Sequence, residues 1–263
     1  MNTDTDRSRL LGQVKDILEQ SWGYGLGELP STGLVVAPAR RVDGPLAVRT
    51  GDGALLLAKP QWQDACQELA ATLSVEQLFS SYGVFELARA TLPDGVSPFG
   101  PVWCFLADRQ SLKPVGNEAV QELDEDRLRR LSPDTYWHCS VKTATRGFAM
   151  TSSGRITALA TVWPTPELLW EVGVDVLPAS QGQGWGRATV SAAAAWILAR
   201  APLAYYTTGA FNVPSCRTAR SLGFRHLWSF IKGLNGPFLV PPGPLGRPLP
   251  DVVPRPYWRG YPE

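Results

Sequence analysis

An apolar strand that runs into a glycine-rich turn and then into a helix is the feature that most constrains this chain. It occupies residues 172–187 and reads Val-Gly-Val-Asp-Val-Leu-Pro-Ala-Ser-Gln-Gly-Gln-Gly-Trp-Gly-Arg. Such a turn places backbone N–H groups at a helix N-terminus, where they bind an anion without a charged side chain. Because Gly182, Gly184 and Gly186 have no Cβ, a phosphate can approach the backbone itself. The spacing lacks the Lys-Ser/Thr of a Walker loop and the six-residue glycine pattern of a dinucleotide fold.

A second segment, Asn212-Val213-Pro214-Ser215, stands about one helix and one strand further along the chain and is followed by Leu222-Gly223-Phe224. Asn212 is a good helix N-cap and Pro214 suits a first helical turn. Gly223 suits the position that follows a helix. The segment therefore predicts a capped helix. By themselves, both segments are also compatible with an ordinary strand–helix turn followed by an ordinary capped helix.

Together the two motifs resemble those of the GNAT acyltransferase superfamily. The spacing Gln181-x-x-Gly184-x-Gly186 is similar to the pyrophosphate-binding signature of that family, and the Asn-x-x-Ser and Leu-Gly-Phe motifs follow in the family's order. The resemblance covers roughly residues 117–235. It implies an α/β (α+β) fold with a mixed central sheet whose strands splay apart.

The composition favours a folded protein. Apolar residues make up 44% and charged residues 19%, and 25 basic against 24 acidic residues leave a net charge of +1, so neither nucleic acid nor a membrane is expected as a partner. No CxxC pair occurs among the four cysteines, so reduced, buried thiols are expected and no metal site. The polar N-terminus is not a signal peptide and no apolar run reaches the length of a membrane span, which predicts a soluble, cytoplasmic protein.

The element pattern predicts three parts. The helices and strands predicted over residues 1–115 are those of an N-terminal α+β domain. One interpretation of this domain is a degenerate GNAT-like unit. Residues 116–235 are predicted to form the GNAT domain, and residues 236–263 a proline-rich tail that is neither helix nor central strand. Within these parts, a strand is predicted over 84–87 and two helices over 124–131 and 132–144.

The resemblance implies transfer of an acyl group, most often acetyl, from coenzyme A to an amine. It places the cofactor's pyrophosphate on the turn amides and its pantetheine arm along the edge of the preceding strand. A backbone N–H near Val174 is the family's usual donor to the thioester oxygen. The predicted cofactor-binding residues are Val174, Asp175, Val176, Gln181, Gly182, Gln183, Gly184, Trp185, Gly186, Arg187, Asn212 and Ser215.

Glu171 is the first candidate for the base that takes a proton from the amine, because a half-buried strand carboxylate has a raised pKa. An exposed, purely structural glutamate is the alternative. His138 is a second candidate. The tyrosine that many family members use as acid is replaced by Ala219, so the catalytic Ser215, or Tyr205 or Tyr206, is expected to substitute, unless the thiolate leaves unassisted.

At two positions the turn departs from the family's signature in a way that affects binding of the cofactor's phosphates. Gln181 and Gln183 stand where arginine and lysine are common in the family, so binding is expected to depend on the backbone amides and on Arg187. Arg217 and Arg220 are candidates for the distal phosphate, although solvated helix arginines would look the same.

The acceptor is harder to predict. Four tryptophans lie near the site in sequence, and they form either core or an aromatic acceptor pocket: Trp137, Trp163, Trp170 and Trp185. The predicted function is acetyl-CoA-dependent N-acetylation of a small-molecule amine. A protein or peptide N-acetyltransferase and a non-catalytic acyl-CoA sensor are the alternatives, and the oligomeric state, monomer or homodimer, stays open.

Overall fold

Helices and strands alternate along the residues that the computed structural model describes, 3–165 and 169–236. The helices are α1 (Thr3–Trp22), α2 (Pro60–Thr72), α3 (Val75–Leu78), α4 (Ser81–Thr91), α5 (Glu125–Arg129), α6 (Trp185–Leu198) and α7 (Val213–Ser221). The strands are β1 (Thr32–Pro38), β2 (Leu46–Thr50), β3 (Asp52–Ala58), β4 (Val96–Ala107), β5 (Gln121–Leu123), β6 (Arg146–Ser152), β7 (Arg155–Pro164), β8 (Trp170–Val176), β9 (Ala204–Gly209) and β10 (Arg225–Asn235).

Backbone contacts divide the chain into two units. The first unit takes the described residues within 1–14, 104–208 and 213–227, and the second takes those within 15–103, 209–212 and 228–263. Each unit thus combines segments that are far apart in sequence. The linear boundaries at 115 and 235 stay predictions, and all but the first residue of the predicted proline-rich tail lies outside the described residues.

In the second unit the strand order is β1-β3-β2-β10-β4. β2 and β3 form a hairpin, with Gly51 at φ 66° in the turn. Helices α2, α3 and α4 supply the core beside this sheet, where Trp62, Leu78 and Leu87 pack with Leu56 and Ile231. At the start of α3, Ser74 and Gln77 exchange side-chain-to-backbone hydrogen bonds, which form a capping box.

In the first unit the order is β4-β9-β8-β7-β6-β5. The strands from β5 to β8 pair antiparallel, whereas β8 and β9 pair parallel, so the sheet is mixed as predicted. Helix α6 packs on β6, β7 and β8. A second core, around Leu123, Leu128, Tyr136, Cys139 and Leu159, holds α5 and the following loop on the sheet.

The predicted strand over 84–87 is wrong, because these residues lie in α4. Ser80 caps that helix by accepting a hydrogen bond from the N–H of Gly83. The buried residues of α4 follow a helical spacing of three and four: Gly83, Val84, Leu87, Ala88 and Thr91. A four-residue segment with three apolar residues does not distinguish a strand from a helix, whereas the longer pattern does.

The second predicted helix, over 132–144, is also wrong. The segment is a loop with a single 3-10 turn at Trp137–Cys139, and Ser140 has φ 45°. Its backbone groups bind the sheet instead of a helix. The N–H of His138 donates to Asp175 over 2.9 Å, and the carbonyl of Cys139 accepts from the hydroxyl of Thr161.

All four cysteines are free and buried, as predicted. Within the described ranges, no helix combines the length and the apolar character that crossing a bilayer requires.

Candidate active site

The two central strands of the first unit separate soon after they meet. The parallel ladder joins Trp170 to Ala204 and Glu171 to Tyr205. β8 then continues to Val176 while β9 continues to Gly209. The predicted splay is confirmed, and it leaves the edge of β8 over Val172–Val176 beyond the ladder with β9. Such an edge offers backbone N–H and C=O groups to an extended ligand.

The glycine-rich turn joins β8 to α6 through two left-handed residues. Gly182 has φ 77° and Gly184 has φ 78°, a conformation that costs other residues about 1–2 kcal/mol. Gly186 has a different reason to be glycine. A Cβ on it would come within 2.8 Å of the Val176 side chain, so α6 approaches β8 closely at this point.

The start of α6 presents backbone donors. The first helical bond runs from the N–H of Ala188 to the carbonyl of Gly184. The N–H groups of Trp185, Gly186 and Arg187 therefore precede the helical ladder. Gln181, Gly182, Gln183 and Gly184 are exposed, and the Gln181 side chain lies 3.4 Å from the carbonyl of Val176. The turn has the geometry of an anion-binding helix start.

Alternation along β8 separates its side chains onto two faces. Val174 and Val176 share the face on which α6 packs, since both approach the Cβ position of Gly186. Glu171, Gly173 and Asp175 share the opposite face. The side chain of Glu171 is half-buried and accepts a hydrogen bond from the hydroxyl of Thr207 on β9. Thr207 thus holds the candidate base where the two strands separate, a contact that the sequence did not predict.

His138 lies against the same face of β8. Its Nδ1 is 2.5 Å from Asp175 Oδ1, and its carbonyl oxygen would be 2.0 Å from a Cβ on Gly173. Only glycine therefore fits at position 173. The tertiary structure therefore brings together His138, which the sequence indicated as a candidate base, and Asp175, which it indicated as a cofactor-binding residue.

Of the candidate acids, the structure places Tyr206 and Ser215 together. Their hydroxyl oxygens are 2.8 Å apart, and Tyr206 is 1% exposed. Burial raises the pKa of Tyr206, so its hydroxyl stays protonated at neutral pH. Tyr205 points elsewhere, because its hydroxyl donates to Cys104 Sγ over 3.2 Å. Ala219, at the position of the family's usual tyrosine, is fully buried.

The four tryptophans do not form one cluster. Trp163 lies over Gly173 on the face of Glu171, and the ring of Trp137 is 3.7 Å from that of His138. Trp170 instead packs edge-on against Trp196 of α6, with ring centroids 5.7 Å apart. The alternation of β8 explains this separation, because neighbouring strand residues point to opposite faces.

Helix α7 has the predicted start and end. Asn212 directly precedes it, and its N–H donates to the carbonyl of Gly209. At the other end Gly223 has φ 87°, and the N–H of Phe224 bonds the carbonyl of Ala219 in a Schellman arrangement. Arg187, Arg217 and Arg220 are exposed, and their roles at the phosphates stay predictions.

A mixed, splayed sheet beside a glycine-rich helix start is the arrangement that the resemblance to acyl-CoA-dependent transferases implies. Residues 112–224 match the model of the acetyltransferase (GNAT) family. That segment of the chain is therefore a GNAT acetyltransferase domain, and the cofactor of the family is acetyl-CoA.

Solved structures of GNAT proteins resemble parts of the chain at low identity. A putative GNAT acetyltransferase from Novosphingobium aromaticivorans is 21% identical, with a TM-score of 0.43, over 53% of this chain and 66% of its own. A GCN5-related N-acetyltransferase from Kribbella flavida is 17% identical, with a TM-score of 0.42, over 88% and 95%. A GNAT acetyltransferase from Colwellia psychrerythraea is 13% identical, with a TM-score of 0.45, over 85% and 95%. No curated protein matches the sequence.

Proposed function

We propose that the protein transfers the acetyl group of acetyl-CoA directly to a small-molecule amine. The observation that carries this proposal is the parallel ladder of β8 and β9, which ends after two residue pairs with Glu171 at the opening. A cofactor arm can pair with β8 there while a carboxylate stands beside it. A small rather than a macromolecular acceptor is favoured because the chain has neither an acidic run nor a basic stripe. A cytoplasmic location is proposed because no apolar run of the sequence reaches the length of a membrane span.

The residues of the turn and strand fit acetyl-CoA. The positive φ angles of Gly182 and Gly184 expose backbone where a side chain would otherwise project. We assign the pyrophosphate to the amides of residues 181–187 and the pantetheine arm to the edge formed by Val174, Asp175 and Val176. Asn212 and Ser215 at the start of α7 complete the assignment. When bound, the cofactor supplies an activated acetyl thioester.

Glu171 is assigned as the group that accepts a proton from the amine, because an ammonium has no lone pair with which to attack. Its hydrogen bond to Thr207 fixes the carboxylate at the opening between the strands. Tyr206 and Ser215 form a connected pair of hydroxyls that can donate a proton to the departing sulfur.

The variant Glu171→Gln tests the proposal because it removes the base and keeps the shape. We expect kcat to fall by about 10²-fold or more on any amine that the wild type acetylates. Affinity for acetyl-CoA, measured by calorimetric titration, should be unchanged. Glu118→Gln, at an exposed loop position, is the matched control and should keep full activity.

Three results would contradict the proposal. Unchanged turnover in Glu171→Gln would remove Glu171 from the mechanism. If the wild type binds acetyl-CoA but releases no thiol with any small amine or basic peptide, the protein is an acyl-CoA sensor. Turnover on peptides alone would make it a peptide N-acetyltransferase.

A further inference from the structure

Helix α4 carries apolar side chains on two faces. Val84 and Leu87 are buried in the core of the second unit. On the other face, Tyr82, Phe85 and Leu92 follow a helical spacing and are 54%, 57% and 41% exposed. Among the described residues, only three other large hydrophobic side chains are exposed. Half of the large hydrophobic side chains exposed in this part of the chain therefore lie on one face of one helix.

These three side chains line a shallow groove together with Glu86, Arg89 and Pro93, and this surface is called the α4 groove below. Glu86 and Arg89 pair with each other, since Arg89 Nε lies 3.3 Å from Glu86 Oε1. The groove thus combines aromatic and aliphatic walls with two charges that offset each other. Such a surface favours an apolar segment that carries no charge of its own.

The last described residue, Gly236, is held at the end of this groove. Its N–H donates to the carbonyl of Gly95 over 2.9 Å, and its carbonyl accepts from the hydroxyl of Ser97 over 2.7 Å. The N–H of Gly95 in turn donates to the carbonyl of Leu92 over 2.9 Å. Gly236 is therefore separated from a wall of the α4 groove by a single hydrogen-bonded turn, and the chain continues from that point.

The segment that follows Gly236 has the composition that the groove favours. Residues 237–246 read Pro-Phe-Leu-Val-Pro-Pro-Gly-Pro-Leu-Gly, with four prolines, four large apolar residues and no charge. Proline fixes φ near the polyproline II value, so a proline-rich segment loses little conformational entropy when it binds. Aromatic-lined grooves are the surfaces on which such segments dock.

Length and tethering also favour this segment over a separate molecule. Ten residues of polyproline II span about 31 Å, about twice the length of roughly 16 Å expected for the 11 residues of α4. A segment attached at Gly236 is present at an effective concentration of the order of millimolar, and it loses no translational freedom when it docks.

We propose that residues 237–246 of this chain dock in the α4 groove and cover Tyr82, Phe85 and Leu92. The hydrogen bonds of Gly236 set the point from which the segment enters the groove. The apolar side chains of the segment meet the aromatic and aliphatic walls, and its lack of charge matches the paired Glu86 and Arg89. The proline-rich tail thus begins as part of the second unit.

Chymotrypsin digestion of the full-length protein tests the docking, because the bond after Phe238 is cut only when that residue leaves the groove. The groove variant carries Tyr82→Ser and Phe85→Ser. We expect its cleavage after Phe238, followed by mass spectrometry, to be at least tenfold faster than in the wild type. Cleavage after Tyr257, beyond the docked segment, should be unchanged. Val35→Ser, at an exposed position on β1, is the matched surface control and should behave as the wild type.

Urea unfolding tests the same contact from both sides. The groove variant and the tail variant, Phe238→Ser with Leu239→Ser, should each lower the unfolding midpoint by about 0.3 M or more. Combining the two should lower it no further than the larger of the two effects, because both remove one contact. Trp258→Ser, outside residues 237–246, is the control for the tail and should keep the wild-type midpoint.

Equal cleavage after Phe238 in the wild type and the groove variant would overturn the inference, and so would midpoint losses that add. A wild-type dimer that only the groove variant converts to a monomer, measured by sedimentation velocity, would also overturn it, because a second copy of the chain would then occupy the groove. These measurements use neither acetyl-CoA nor an amine, so the inference stands or fails separately from the proposed function.

Discussion

At the scale of single residues, two glycines of the turn are required for different physical reasons. Gly184 is required by its backbone conformation, while Gly186 is required by the approach of α6 to Val176. The sequence predicted that glycine matters at both positions. It could not distinguish the two reasons, because the second depends on how α6 lies against β8.

Gly184→Ala should destabilise the protein by about 1 kcal/mol, since alanine is strained at φ 78°. It should also weaken acetyl-CoA binding at least tenfold, because a methyl group would project from the anion-binding turn. Thermal unfolding and calorimetric titration measure the two effects. Gly116→Ala is the control, since Gly116 is exposed and has an ordinary φ. Equal affinity in both variants would argue against phosphate binding at this turn.

Tyr206→Phe removes the hydroxyl that faces Ser215. We expect a loss of stability of about 1 kcal/mol, and a fall in kcat of about tenfold or more if the pair donates a proton to sulfur. Tyr205→Phe is the neighbouring control, because its hydroxyl contacts Cys104 instead. It should lose stability without losing turnover. Steady-state kinetics measure kcat for both variants. Equal kcat values would exclude Tyr206 from the group that donates a proton to sulfur.

At the scale of elements, the sequence was most informative where a motif carries its own geometry. The turn 181–187 and the end of α7 at Gly223 form as predicted, because their hydrogen bonds are local. The strand expected at 84–87 and the helix expected at 132–144 do not form. In the latter case the deciding partners, Asp175 and Thr161, lie on distant strands.

Gly223→Ala should damage the end of α7. Alanine would be strained at φ 87°, and its Cβ would fall 1.9 Å from the carbonyl oxygen of Ser111. We expect destabilisation of about 2 kcal/mol or more, measured as a shift of the urea unfolding midpoint. A stability equal to that of Gly116→Ala would show that the contact with Ser111 relaxes at no cost.

At the scale of the whole molecule, the first unit is assembled from three separate segments of chain. Asp6 on α1 links two of them, because its buried carboxylate pairs with Arg225 at the start of β10 as well as with Arg9. Arg9 also pairs with Asp108, which follows β4. A linear division of the chain at residue 115 does not anticipate these contacts, since no local pattern marks an ion pair across 219 residues.

These pairs predict acid sensitivity. The hydrogen bonds of Arg9 and then Arg225 lower the pKa of Asp6 in the folded protein. The stabilisation is therefore present above the unfolded pKa of about 3.9 and is lost as pH falls through the folded value. Urea unfolding from pH 7 to pH 2.5 should show this loss. Asp6→Asn should be less stable at pH 7 and should change less with pH. A parallel pH dependence of the two proteins would contradict the assignment.

The glycine-rich turn and the end of α7 at Gly223 followed from the sequence by itself, because they depend on backbone geometry within short segments. The mixed, splayed sheet and the cofactor followed from the resemblance of the sequence motifs to those of the GNAT family. Only the tertiary structure decided which side chains share the site. Alternation places Glu171 and Asp175 on one face of β8, but it does not say that Thr207 and His138 meet them there. Those contacts depend on where β9 leaves β8 and on a loop that binds the sheet instead of forming a helix, and both are settled by packing over long distances in sequence.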